Sequence, residues 1–162
     1  MNGAGASWQV RMRAQWAYRR ALWLRFLGHR MMRREFYEAA TAALDRVLLL
    51  LPEFGEAYLM RGLLCWRELG QPERAVHDLT AVLDLEPDRA EVLFYRGMAH
   101  QATGDYAAAA NDLRAAIEQA PRARWRANAH SQLVAIQAML AEMSPQLAEA
   151  SESLLSLGDG GN

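Results

Sequence analysis

The chain has 162 residues, enough for one domain or one short repeat array, and 52% are hydrophobic, so a sizeable core can be buried. A net charge of −1 conceals an imbalance: residues 1–34 hold eight arginines and no acid, whereas the remainder holds ten arginines against nineteen acids. The single Cys65 excludes an internal disulfide or a cysteine-based metal cluster, and no apolar run approaches the ~18 residues of a membrane span.

Residues 1–20 read as a basic helical arm carrying Arg11, Arg13, Arg19 and Arg20. Trp8, Met12, Trp16, Trp23 and Leu27 recur at helical spacing with arginines interleaved, which predicts an apolar stripe beside a cationic face. Such a helix can lie on anionic lipid, pair with an acidic protein or contact phosphate backbones. It can equally extend the next helix and pack its tryptophan stripe on the array as an N-terminal cap, the simpler reading because arrays need both ends covered. A cap alone does not require eight arginines without one acid. The start lacks the apolar stretch of a secretory signal, and its scarcity of serine argues against a transit peptide. The expected location is cytoplasmic, with a peripheral membrane contact left open by the arm.

From residue 21 the chain repeats. Gly28, Gly62 and Gly97 are separated by 34 and 35 residues, Ala40, Ala75 and Ala109 by 35 and 34, and Pro52, Pro87 and Pro121 by 35 and 34. A shared period near 34 marks stacked helix–turn–helix units, here 21–54, 55–89 and 90–123. Unit two has one extra residue between Gly62 and Gly70, and unit one has Glu35 where a turn glycine is expected. In unit three, Asp88 is placed to cap a first helix with Glu91 as its reciprocal partner. Gly104 and Asp105 break the chain, and Asp105 is placed to cap a second helix ending near Gln119. Recurrent glycine inside a helix, at roughly 0.8–1 kcal/mol relative to alanine, argues for close packing of Gly97 against Ala109.

After Pro121, residues 124–157 read as C-terminal capping helices. Leu133, Ile136 and Leu140 mark the first, and Ser144-Pro145 is expected to open a second. Residues 158–162 are expected to be a disordered tail.

The residues Leu27, Gly28, Tyr37, Ala40, Leu44 and Pro52, then Gly62, Leu69, Gly70, Ala75, Leu79 and Pro87, then Gly97, Gly104, Tyr106, Ala109, Leu113 and Pro121 resemble the tetratricopeptide repeat family. The resemblance covers roughly residues 21–123 and implies an all-α chain, an α-α superhelix of stacked repeats. It further implies a concave groove lined by the first helix of each unit. By register that groove takes Arg25, His29 and Met32 from unit one and Leu59, Leu63 and Trp66 from unit two. Unit three adds Phe94, Met98 and Gln101, and the cap adds Asn128 and Gln132. Some family members grip a C-terminal carboxylate with a clamp of basic and amide residues. The corresponding positions here hold Arg25, His29, Met60, Glu91 and Tyr95, so that activity is not expected.

The four histidines, His29, His77, His100 and His130, are scattered without ligand spacing, and neither a phosphate loop nor a nucleophile elbow is present. The chain is expected to be no enzyme, to need no cofactor or metal, and to act as a protein–protein scaffold, adaptor or assembly chaperone. Its partner is a peptide or helical segment of another protein. The alternatives are an electrostatic tether through the arm to a membrane surface or nucleic acid, and a homodimer.

Overall fold

A computed structural model describes residues 7–120 and 122–158, with side chains placed as far as residue 143. Its elements are α1 (Trp8–Met31), α2 (Arg34–Leu50), α3 (Gly55–Arg67), α4 (Pro72–Leu85), α5 (Ala90–Thr103), α6 (Tyr106–Gln119) and α7 (Arg126–Gly158). The described part is all-α. Each helix packs on the next, so α1/α2, α3/α4 and α5/α6 form stacked pairs and α7 closes on α6. No described helix is long and apolar enough to cross a membrane.

The pairs close where side chains are smallest. A β-carbon on Gly97 would lie 3.0 Å from Leu113 Cγ and 3.2 Å from the Ala109 carbonyl oxygen. One on Gly62 would lie 3.3 Å from both Leu79 Cγ and Asp78 Cβ. Beside each glycine sits an arginine that clasps the second helix. Arg61 makes a paired bond to Asp78 (Nε to Oδ2 2.8 Å, Nη2 to Oδ1 2.6 Å) and reaches back to Asp45 on α2. Arg96 does the same to Asp112 (2.7 and 2.8 Å) and reaches back to Thr80 on α4. The Asp78 bond raises the Arg61 guanidinium above its ordinary pKa. Each clasp therefore ties the two helices of one pair and the preceding pair at once.

Unit one is built differently. Helix α2 has 17 residues against 14 in α4 and α6, yet all three end at the same place relative to Pro52, Pro87 and Pro121. The surplus lies at its start, so the turn of this pair has slid toward the N-terminus. Glu35, the residue at the expected turn, is inside α2, and the chain reverses at Met32-Arg33 with Met32 left-handed at φ 52°. Gly28 consequently meets the ring of Tyr37, whose carbons would stand 2.5–2.9 Å from an added β-carbon. The positions matching Arg96 and Asp112 are Leu27 and Ala43, and no clasp forms in this pair.

From Trp8 onward the arm and the first repeat helix are one continuous helix, and residues 1–6 of the arm lie outside the described ones. The buried residues of this helix are Ala14, Ala21 and Gly28, with Ala17 and Leu24 packed on the same core and Tyr18 edge-on to Phe54 at 5.2 Å. The expectation that the tryptophan stripe packs on the array is overturned: Trp8, Trp16 and Trp23 are all exposed. Small residues let α1 lie close to α2, and a tryptophan on that face would hold the helices apart.

The extra residue of unit two falls after Trp66. Helix α3 is regular to Arg67, then both Glu68 N–H and Leu69 N–H bond to the Leu64 carbonyl, and Gly70 turns the chain at φ 64°. The register of Leu63 and Trp66 is thus undisturbed. Asp105 caps α6 as expected, accepting from the Ala108 N–H at 3.0 Å. Asp88 does not cap α5: Arg89 occupies that position, with its guanidinium bonded to Glu56 and Glu86.

The C-terminal cap is one helix, not two. α7 passes through Ser144-Pro145, because a proline removes one helical hydrogen bond without by itself ending a helix. Its first turns are anchored by Trp125, stacked on Phe94 at 5.0 Å and 14°, and by buried Ala129 and Ile136. Of the expected tail 158–162, Gly158 ends α7 and the other residues lie outside the described ones.

Asp78→Ala, which leaves the largely buried Arg61 guanidinium only its bond to Asp45, should lower stability by about 3 kcal/mol in urea unfolding. Phe94→Ala should cost about 3 kcal/mol and raise amide exchange along α7. Met32→Gly relieves a left-handed β-carbon and should raise stability by about 0.5–1 kcal/mol.

Candidate functional site

The first helices of the pairs, α1, α3 and α5, stand side by side with the start of α7, and their shared face is the candidate site. At one end, Arg25 Nη1 lies 3.3 Å from the Met60 sulfur and bridges α1 to α3. In the middle, Trp66 of α3 faces Tyr95 of α5 with ring centroids 6.5 Å apart. Arg67 lies over both rings, 5.1 Å from Trp66 and 5.4 Å from Tyr95. At the far end, Gln101 Nε2 donates to Gln132 Oε1 at 3.1 Å and joins α5 to α7. Leu63 and Met98 are half-buried between these points.

The residues assigned from sequence divide into three groups. Arg25, Leu63, Trp66, Met98, Gln101 and Gln132 retain exposed surface, and the bonds above tie Arg25, Trp66, Gln101 and Gln132 to this face. Leu59 and Phe94 are 8% and 5% exposed, and belong to the core rather than to a free surface. Phe94 is spent on Trp125, which stands just before α7 and stacks on the phenylalanine ring.

Met32, His29 and Asn128 form the third group. Met32 is not on a helix face at all. It is the turn residue of the first pair, a direct result of the displaced turn. His29 is exposed, with Nδ1 3.1 Å from the Tyr37 hydroxyl, so its ring is held toward α2. Asn128 is exposed on α7.

Sequence reasoning omitted Arg67 and Trp125 from this face and placed Tyr95 only as a departure from a carboxylate clamp. The clasp residues Arg61, Asp78, Arg96 and Asp112 also went unassigned, although Arg-Gly recurs with the period of the glycines and the two aspartates recur with that of the alanines.

The electrostatics of the face are mixed. Tyr95 donates to Glu91 at 2.9 Å, and burial followed by that bond holds its phenol above the ordinary pKa, so it remains a donor. Arg67 is an exposed cation, while Glu56 is engaged by Arg89 at 2.8 Å. Among the described residues, no three His, Cys, Asp or Glu side chains are grouped to hold a metal ion. Cys65 is buried, and burial raises its thiol pKa.

Residues 67–124 match the tetratricopeptide repeat family. No relative was found among curated protein sequences. Among solved structures, the chain is similar to the first such domain of Spaghetti (RPAP3), solved with an HSP90 peptide. The identity is 21% and the TM-score 0.62, over 76% of this chain and 95% of that one. It is similar to MamA of Desulfovibrio magneticus, at 18% identity and TM-score 0.68, over 91% of this chain and 78% of that one. It is also similar to SycD, the type III secretion translocator chaperone of Yersinia enterocolitica, at 18% identity and TM-score 0.66, over 78% and 85%. Identities this low establish the shared superhelix and leave the ligands of those proteins as theirs. The repeat period, the stacked antiparallel pairs and the match at 67–124 together give the described chain the superhelical fold of stacked tetratricopeptide repeats.

Proposed function

We propose that this protein is a non-catalytic scaffold, adaptor or assembly chaperone that holds a segment of another protein against the face formed by α1, α3, α5 and α7. The observation that carries this reading is the composition of that face. Apolar groups, Leu63, Trp66, Tyr95 and Met98, keep accessible surface in its middle, while cations and amides, Arg25, Arg67, Gln101 and Gln132, stand around them. An apolar floor with a polar rim suits an extended or helical segment whose side chains fill the floor and whose acids meet the arginines.

The similar Spaghetti domain was solved with an HSP90 peptide, and SycD is a translocator chaperone, which supports a segment-holding role for this architecture. A carboxyl-terminal peptide of the first kind fits this face poorly. Arg25 is directed to the Met60 sulfur, and Glu91, bound to Tyr95, would repel a carboxylate. The reading therefore favours an internal amphipathic segment.

Leu63→Glu combined with Met98→Glu places charge on the floor without entering the buried core. Capture of the partner from native lysate should fall at least about tenfold while the far-ultraviolet spectrum stays helical. Undiminished capture by the folded double variant would remove the face as the binding site.

A further inference from the structure

Helix α1 presents a second apolar face that nothing among the described residues covers. Taken at 100° per residue, Ala14, Ala21 and Gly28 point toward α2, and Trp8, Met12, Trp16, Trp23 and Phe26 lie roughly 180° away. These five are between 48% and 72% exposed. They form a stripe along a helix of 24 residues, about 36 Å long. Arg19 and Arg30 fall within the stripe, Arg11 along one edge, and Arg13 and Arg20 along the other. No acid occurs before Glu35.

We propose that this face lies on an anionic lipid surface, with the tryptophans at the boundary between headgroups and hydrocarbon and the arginines on the lipid phosphates. The residue types carry the assignment. Tryptophan and phenylalanine with flanking arginine are what an interfacial helix needs, because the rings leave water while the long arginine stems return their charge to the headgroups.

The ring geometry favours lipid over nucleic acid. Trp23 is already stacked on Phe26 at 5.5 Å, and Arg19 lies over Trp16 at 5.9 Å, so one face of each of these two rings is already covered against a stacking base. A second copy is disfavoured by charge, since pairing α1 with its own duplicate sets arginine against arginine. The stripe also points away from Arg25 and its contact with α3. Lipid contact and partner binding thus use different faces of α1, and the inference is independent of the proposed function.

The test uses the full chain with vesicles of phosphatidylglycerol mixed with phosphatidylcholine, and with phosphatidylcholine alone. The protein should sediment with the anionic vesicles, shift its tryptophan emission to the blue, release as salt rises, and ignore the neutral vesicles. Trp16→Ser with Trp23→Ser should weaken that binding at least about tenfold with unchanged helicity, because neither side chain is buried. Leu63→Glu with Met98→Glu should leave it intact, which separates it from the partner-binding face.

Failure to bind anionic vesicles at low salt would overturn the proposal. So would binding indifferent to the tryptophan substitutions, which would be charge attraction alone. A single-stranded oligonucleotide bound in preference to vesicles, or a dimer in light scattering that the double variant dissolves, would assign the stripe to nucleic acid or to a second copy instead.

Discussion

How closely the two helices of a pair approach is set by a missing side chain, and the rest of the structure follows from that distance. At Gly62 and Gly97 the first helix rests almost on the backbone and β-carbons of the second. Glycine there costs roughly 0.8–1 kcal/mol of helix propensity, offset by the packing it admits. At that separation the neighbouring arginine reaches an aspartate on the second helix with both guanidinium edges and touches the preceding pair as well. The rotation of α3 and α5 about their own axes is thereby fixed. Fixed rotation is what brings Leu63, Trp66 and Met98 onto one face, where a partner segment can meet all of them.

Unit one has no such clasp, and its departures are connected. With no glycine near residue 35 to take a left-handed conformation, the chain turns earlier, at Met32. The turn displaces Gly28 from its counterpart role and hands its space to Tyr37. Packing of α1 on α2 then depends on Ala14, Ala17 and Ala21, far toward the N-terminus, and α1 becomes one long rod. A rod held by alanines on one side is free to carry tryptophan on the other. The feature that weakens unit one as a repeat is thus the same one that gives it an unshared outer face.

Much of the architecture was legible in the sequence because steric requirements recur at fixed intervals. A period near 34 in glycine, alanine and proline leaves little besides stacked helix pairs, and Asp105 is where a helix start requires a cap. The Arg–Asp clasps were equally periodic, yet they went unassigned. Arginine and aspartate are usually exposed, so only their placement across a close pair of helices distinguishes these from surface charge.

The sequence by itself determined the fold class, the number and order of the repeat units, and the opposed charges of the two parts of the chain, since each follows from local periodicity or composition. The tertiary structure decided which side of each helix is spent on packing. Phe94 and Met98 are one turn apart on α5, yet Trp125, just before α7, stacks on the first while the second stays partly open. The aromatic stripe of α1 satisfies a packing pattern as well as the alanine face does, and the closer approach that alanine allows turned the tryptophans outward. Amphipathic spacing specifies that a helix has an apolar side. When it has two, only the competition for contact with its neighbours selects which one is buried.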